Sequence, residues 1–163
     1  MGWSSKITLE DSVPGMHLPQ TWDEYLATLG KKHRHELKRK IRRLEDNGPY
    51  NVLTADGASG TDVSIEEFLG LMKASKEEKS RFMTTDRESF FREMVDILSS
   101  EKTLNLYFLE VGGAMVASAI CLDYNGSRFL YNSGYNPEFS FLSVGLILKA
   151  FTVRDAIESG FQY

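Results

Sequence analysis

The 163-residue chain is long enough for one domain with a sizeable core, and its 42% hydrophobic and 12% aromatic content excludes disorder over the whole length. No run of about 18 apolar residues is present to span a bilayer, and Met1-Gly2-Trp3-Ser4-Ser5-Lys6 lacks the apolar core of a signal peptide, so a cytoplasmic location is expected with Met1 as the start. The formal charge of −4 is uneven: residues 31–43 hold eight Lys and Arg against Glu36 alone, a net +7 that leaves −11 for the rest, which points to an anionic partner or to pairing with acidic surface elsewhere.

Residues 1–20 contain Pro14, Gly15 and Pro19 and read as a linker or extended lead-in, which sets the domain at 21–163. Thr21 and Glu24 make a capping box, and Trp22, Tyr25, Leu26 and Leu29 follow at helical spacing up to Gly30. A second helix is expected over 31–47, with Leu37, Ile41 and Leu44 as a narrow apolar stripe, cationic solvated faces elsewhere, and Gly48-Pro49 as the stop. Residues 50–54 are a strand candidate and 55–62 a Gly/Ser/Asp-rich loop. Ser64 with Glu67, and Thr85 with Glu88, read as capping boxes that open two more helices. The first presents Ile65, Phe68, Leu69 and Met72 on one face, the second Phe90, Phe91, Met94, Ile97 and Leu98, with a charged connector at 76–83 between them.

From Thr103 the apolar period changes to that of strands. Residues 104–111 and 114–124 pair through a Gly112-Gly113 turn, and Asn125-Gly126 turns into a third strand at 128–133, which Gly134-Tyr-Asn-Pro137 breaks. A nearly all-apolar helix over 142–159 must be buried, and Gly160 ends it before a new strand starts at Phe-Gln-Tyr163. Cys121, flanked by Ala119, Ile120 and Leu122, reads as a buried structural thiol, and as the single cysteine it excludes an internal disulfide and any multi-cysteine metal site. His33 and His35 are two apart on a helix and share no face, a poor metal pair, while His17 has no evident partner. No metal site is expected.

The order strand, two helices, three-strand antiparallel meander, central helix, strand resembles the α/β fold of the GNAT N-acyltransferases. Within that superfamily the local sequences resemble the CelD-like branch, related to the Fem-type transferases of cell-wall synthesis. The resemblance is carried by Leu18-Pro-Gln-Thr-Trp-Asp-Glu-Tyr-Leu26, Arg34-His-Glu-Leu-Lys-Arg-Lys-Ile-Arg-Arg-Leu44, Leu106-Tyr-Phe-Leu, Gly113-Ala-Met-Val-Ala117, Tyr131-Asn-Ser-Gly-Tyr135 and Ser143-Val-Gly145. It covers the chain from about Leu18 onward, and the Arg/Lys run and the Tyr-x-Ser-Gly-Tyr segment are its more specific parts. In that branch an aspartate-containing strand and further elements follow the last strand seen here, so the resemblance implies a domain truncated at its C-terminus, with part of the site beyond Tyr163. It also allows a second, degenerate GNAT-like domain ahead of this one in the full-length protein.

The resemblance implies an acyl-CoA co-substrate, acetyl-CoA or another, whose pyrophosphate is held by backbone N–H groups of Ser143, Val144, Gly145 and Leu146, with the Ser143 hydroxyl as an extra donor. The family's loop runs Q/R-x-x-G-x-G/A. With Gly145 at its last position, Ser143 stands at the first glycine and Ser140 at the Gln/Arg; the alternative is a plain Ser-capped core helix. Acyl transfer to an amine needs a base and donors to a tetrahedral oxyanion. Tyr131 and Tyr135 are candidate donors, Asn132 an orienting amide and Glu110 a base, against packing tyrosines and a solvated edge carboxylate. Lys38, Arg39 and Arg42 are taken as steering cations for CoA, an anionic sugar-lipid or RNA, against an amphipathic helix whose polar face is merely basic. The expected function is acyl transfer from acyl-CoA to an amine, with a cell-envelope or polysaccharide precursor as the candidate acceptor; the alternatives are a Fem-like transferase using aminoacyl-tRNA and a non-catalytic module binding an anionic polymer.

Overall fold

The computed structural model describes residues 5–8, 13–55 and 61–163. Helix α1 (Trp22–Thr28) opens on the expected capping box: the Thr21 hydroxyl accepts from the Glu24 N–H at 3.2 Å while the Glu24 carboxylate takes the Thr21 N–H. Helix α2 (Lys31–Asp46) turns Leu37 and Leu44 inward, and Ile41 and Leu37 join Leu26 of α1 in a small apolar cluster. Strand β1 (Tyr50–Ala55) follows. Of the loop expected at 55–62, residues 56–60 lie outside the described residues, and helix α3 (Thr61–Ser75) already begins at Thr61.

Four expectations for the helical region are corrected. Helix α3 already includes Thr61 to Ser64, so Ser64 lies inside it and is not its cap. The charged stretch at 76–83 is no mere connector but contains a short helix, α4 (Glu77–Phe82), with Glu77 and Glu78 in its first turn and Lys79 and Arg81 in its last, the signs that favour the helix dipole. Helix α5 (Thr85–Ser100) has Thr84 rather than Thr85 at its N-cap and no capping side-chain bond. Glu88 instead accepts from Lys73 at 2.8 Å and from Arg92 at 3.2 Å, charge-assisted bonds that outbid a backbone N–H. Phe91, Val95 and Ser99, four apart, form the buried side of α5, which leaves Phe90 and Ile97 exposed.

Strands β2 (Leu104–Val111), β3 (Ala114–Tyr124) and β4 (Ser127–Tyr135) extend the sheet in the order β1-β2-β3-β4, antiparallel throughout. The two hairpin turns need left-handed backbone, supplied by Gly112 and Gly113 (φ 58° and 83°) and by Asn125 and Gly126 (φ 48° and 71°). The third strand runs two residues past its expected end, through Gly134 and Tyr135. A 3-10 turn (Pro137–Leu142) then leads into α6 (Val144–Glu158).

Helix α6 is buried as its composition requires. Its Val144, Ile147, Leu148 and Phe151 join Leu44, Leu109 and Val116 in one core on one face of the sheet. On the other face Phe68, Leu69 and Met72 of α3 and Phe91 and Val95 of α5 pack on Leu106, Phe108 and Ile120. The element order is therefore the one the GNAT resemblance implies, apart from the extra short helix α4 and a difference at the end. Phe161 to Tyr163 form no strand, because isolated backbone bonds take the place of a ladder: Gln162 N–H to the Gly126 carbonyl (2.9 Å) and Arg128 N–H to the Tyr163 carbonyl (2.8 Å). Residues of the lead-in lie against this segment. Leu18 N–H donates to the Gln162 carbonyl at 2.9 Å, and His17 meets the Tyr163 ring edge-on, centroids 5.2 Å apart.

Candidate active site

The end of β4 and the start of α6 meet in a cleft of about 440 Å³. Its floor is Ser133 and Tyr135, one wall is Ser140, Ser143, Val144, Gly145 and Leu146, and the facing wall is Ser75, Lys76 and Lys79 from the α3–α4 junction. Gly134 makes the arrangement possible. A Cβ there would run into the backbone of Leu71 and Met72, so only glycine lets β4 lie directly on α3 and bring α4 to the cleft. A bulge shapes the strand just before it: Ile120 faces Asn132 and Cys121 faces Leu130, which leaves Tyr131 without a partner on β3.

Ser143 sits in the left-handed region (φ 60°, ψ 35°), ending the 3-10 turn and capping α6 in one residue. Its N–H donates to the Ser140 carbonyl (2.9 Å), and its own carbonyl accepts from Leu146 and Ile147 (3.0 Å each). Two of the four N–H groups expected to hold a phosphate, those of Ser143 and Leu146, are thus committed internally. Among the described residues the N–H groups of Val144 and Gly145 have no backbone acceptor, the usual state of the first two helical positions and the one that suits an anion. Gly145 also seats Tyr135 against the helix, because a Cβ at this position would lie 3.3 Å from the tyrosine ring.

Cations surround this turn and its cleft, but not the expected ones. Lys40 donates to the Ser143 hydroxyl oxygen at 2.7 Å, and Arg43 donates to the Phe141 carbonyl at 2.8 Å, which ties α2 to the turn before α6. Lys76, Lys79 and Lys149 line the cleft itself, and no carboxylate does. The Lys79 ammonium is half-buried and donates to Asn132 Oδ1 (3.2 Å) and to the Ser133 carbonyl. Burial lowers its proton affinity, and Lys149 and Lys76 push in the same direction.

Lys38, Arg39 and Arg42 line a separate groove along α2 with Lys31, Lys32 and His35. Arg39 is engaged there by Glu36 through two hydrogen bonds (2.7 and 3.0 Å), and that contact holds the Glu36 carboxyl down to about 2. Of the residues expected to do chemistry, Tyr135 lines the cleft and Asn132 reaches it through Lys79. Tyr131 packs on Phe91 of α5 instead, centroids 6.0 Å apart. Glu110 lies on β2, two strands away from β4, paired with Asn51 and Met115, and is not part of the lining. Residues that sequence reasoning missed are Lys76, Lys79, Lys149, Lys40 and Gly134.

Toward the C-terminal end of α6, on the same face of the sheet, a second polar cluster pairs its charges internally. Arg128 donates to Asp123 (2.6 and 2.7 Å) and to Asp155 (2.6 Å), Tyr107 donates to Asp155 (2.6 Å), and Asn105 donates to Asp123 (2.8 Å). For Asp155 burial works toward a higher pKa, but the Tyr107 and Arg128 hydrogen bonds outweigh it and hold the carboxyl below its ordinary range. Cys121 lies beside this cluster, fully buried, with burial pushing its thiol up to about 12, the inert thiol expected from its neighbours. Among the described residues no three His, Cys, Asp or Glu side chains come together as a metal site, and no helix is long and apolar enough to cross a membrane.

An antiparallel meander followed directly by a buried helix that opens on a small-residue turn is the arrangement the resemblance implied. The profile of a family described as an acetyltransferase (GNAT) domain matches residues 31–163. The chain belongs to the GNAT family. No curated protein matches its sequence. Membership makes acyl transfer its general chemistry, since GNAT domains take a small-molecule acyl donor, generally an acyl-CoA, and an amine acceptor. The matched region starts at α2 and includes every residue lining the GNAT cleft.

Proposed function

We propose that this chain is an N-acyltransferase that moves an acyl group from acyl-CoA, acetyl-CoA in the simplest case, to an amine on a cell-envelope or polysaccharide precursor. The observation that carries the donor is the pair of free N–H groups at Val144 and Gly145, on the wall of the cleft where Lys40 reaches the Ser143 hydroxyl. The helix dipole and these donors suit a diphosphate. As the amine nitrogen attacks the thioester carbonyl, a C–N bond forms, the C–S bond breaks, the amine releases its proton to water in the open cleft and the thiolate must gain one. Tyr135, seated against Gly145 in the same cleft, is the residue we assign to protonate the departing sulfur. Asn132 acts as a positioning residue through Lys79.

Acetyl-CoA at 100 times its dissociation constant should stabilise the protein by about 2.7 kcal/mol, a rise in melting temperature of about 5–10 °C for a domain this size. Ser143→Asp tests the site with a variant that folds. Asp tolerates the left-handed backbone and places a carboxylate at the helix N-terminus beside Lys40, so the free protein should melt higher while the acetyl-CoA shift disappears. No shift in the wild type at millimolar acetyl-CoA would remove the donor assignment.

The groove on α2 favours a second reading, a Fem-like transferase whose donor is aminoacyl-tRNA. It places Lys31, Lys32, Lys38, Arg39 and Arg42 along one surface, which suits phosphates spaced along a chain. Charge reversal of Lys38 and Arg42 should then abolish RNA binding and flatten its salt dependence. Polyanion binding without any acyl transfer would instead leave the non-catalytic binding module.

A further inference from the structure

The lysines of the cleft exceed what the donor requires. The N–H groups of Val144 and Gly145 and the Ser143 hydroxyl, backed by Lys40, form one anion-binding wall. Lys76 and Lys79 come from the opposite wall, from the junction of α3 and α4, and Lys149 stands on α6 one turn beyond Gly145. Among the described residues Lys76, Lys79 and Lys149 make no ion pair, and the acids nearest in sequence do not neutralise them: Glu77 is taken by Arg81, and neither Glu77 nor Glu78 lines the cleft. Lys79 is also fixed in place. Its two bonds to Asn132 and Ser133 use two of three ammonium hydrogens on neutral acceptors and leave the third for a ligand. Holding the half-buried Lys79 ammonium beside the like charges of the exposed Lys76 and Lys149 costs free energy that a bound anion would offset.

We propose that the amine acceptor of this enzyme itself carries an anionic group, a carboxylate or a phosphate, and that Lys76, Lys79 and Lys149 recognise it. The proposal rests on the acyl-transfer reading and narrows its acceptor. The anionic group binds across the cleft from the donor's diphosphate, with the amine held over the floor at Ser133 and Tyr135.

Two measurements on the whole chain test this. In the first, the protein saturated with CoA is melted with added inorganic phosphate or citrate against sodium chloride of equal ionic strength. Extra stabilisation by the anion is expected in the wild type. Its affinity should fall about tenfold in Lys76→Gln and in Lys149→Gln, the loss of one charge-assisted hydrogen bond each, with CoA affinity unchanged. In the second, thiol release is followed with matched amines, phosphoethanolamine against ethanolamine and glucosamine 6-phosphate against glucosamine. The phosphorylated member of a pair should be the substrate, and its KM should rise about tenfold in Lys76→Gln while kcat holds. No extra stabilisation by phosphate or citrate, or equal turnover of both members of each pair, overturns the proposal. So does a Lys76→Gln variant that loses affinity for acetyl-CoA instead, which gives the lysines to the donor. Repeating that titration with 3′-dephospho-acetyl-CoA tells the donor's diphosphate from its third phosphate. A wild type that binds phosphate through these lysines but never acetyl-CoA would overturn the acyl-transfer reading, and the acceptor with it, while leaving an anion site.

Discussion

The two ends of α6 treat charge in opposite ways. Around its first turns stand Lys76, Lys79 and Lys149, without a carboxylate and beside two free N–H groups; near its last turns Asp155 shares a closed network in which Arg128 meets two carboxylates and every partner is accounted for. Arg128 is buried in the one and Lys79 half-buried in the other, so each cluster bears a desolvation cost, while Lys76 and Lys149 are exposed. In the network that cost is offset inside the protein, and the result is structure. In the cleft it is left open, and the offset has to come from a ligand. An unpaired cluster next to a cavity is therefore the better pointer to function than a paired one.

The largest effect should come from breaking the closed cluster. Arg128→Leu leaves Asp123 and Asp155 facing each other's charge without a cation, and unfolding experiments should show a loss of about 3–5 kcal/mol, whereas Lys149→Gln should change stability by less than about 0.5 kcal/mol. A mild Arg128→Leu variant would mean that the network is not what holds the strands to α6.

Gly134→Ala comes next. Its Cβ meets helix backbone rather than a flexible side chain, so α3 must shift away from β4, at about 1–3 kcal/mol. Because α3 carries Lys76 and Lys79 toward the cleft, anion affinity should fall with it, and urea titration alongside phosphate binding would check both. An alanine variant with wild-type stability and affinity would show that the close approach is dispensable.

The pH responses should separate the two ends as well. The Asp155 pKa is lowered by folding, so its contribution to stability is complete above the ordinary aspartate range and is lost as pH falls through the native value. Asp155→Asn should be less stable at neutral pH and should lose less on acidification. The Lys79 pKa is also lowered, but for a cation this means that the charged form is disfavoured in the free protein. Anion affinity should then decline as pH rises toward the ordinary lysine range and before reaching it, a titration that Lys79→Met abolishes.

The smallest effect is expected on α2. Glu36→Gln removes the partner of Arg39 on an exposed helix face, and thermal unfolding should find the melting midpoint unchanged despite the low pKa of Glu36, because solvent screens the pair. A lowered midpoint would indicate that the α2 groove belongs with the structural clusters.

Much of the fold was legible because local rules determine it. The Thr21–Glu24 capping box, the Gly112-Gly113 and Asn125-Gly126 turns and the switch from helical to alternating period at Thr103 each act over a few residues, and each stands where expected. Where two local signals competed, the sequence alone chose wrongly, as at Thr84 and Thr85, because the winner depended on a salt bridge to another helix. One part of the site was within reach. On α2, Lys40 flanks the Leu37, Ile41 and Leu44 stripe that must face the protein, while Arg39 and Arg42 lie further round the helix; a helical wheel would have chosen Lys40 for the pocket.

The chain's own pattern therefore determined the elements, their order, the buried α6 and the small-residue turn that opens it. Only the tertiary structure decided which charges meet. Lys76 and Lys79 are more than fifty residues from Ser133 and Tyr135 in the chain, and nothing periodic links them. They face one another because Gly134 lets β4 lie on the α3 backbone, a steric fact about two surfaces rather than about either segment. The same holds for Glu110, whose place two strands from the cleft follows from sheet order and hydrogen-bond register, which long-range pairing sets after the local elements have formed.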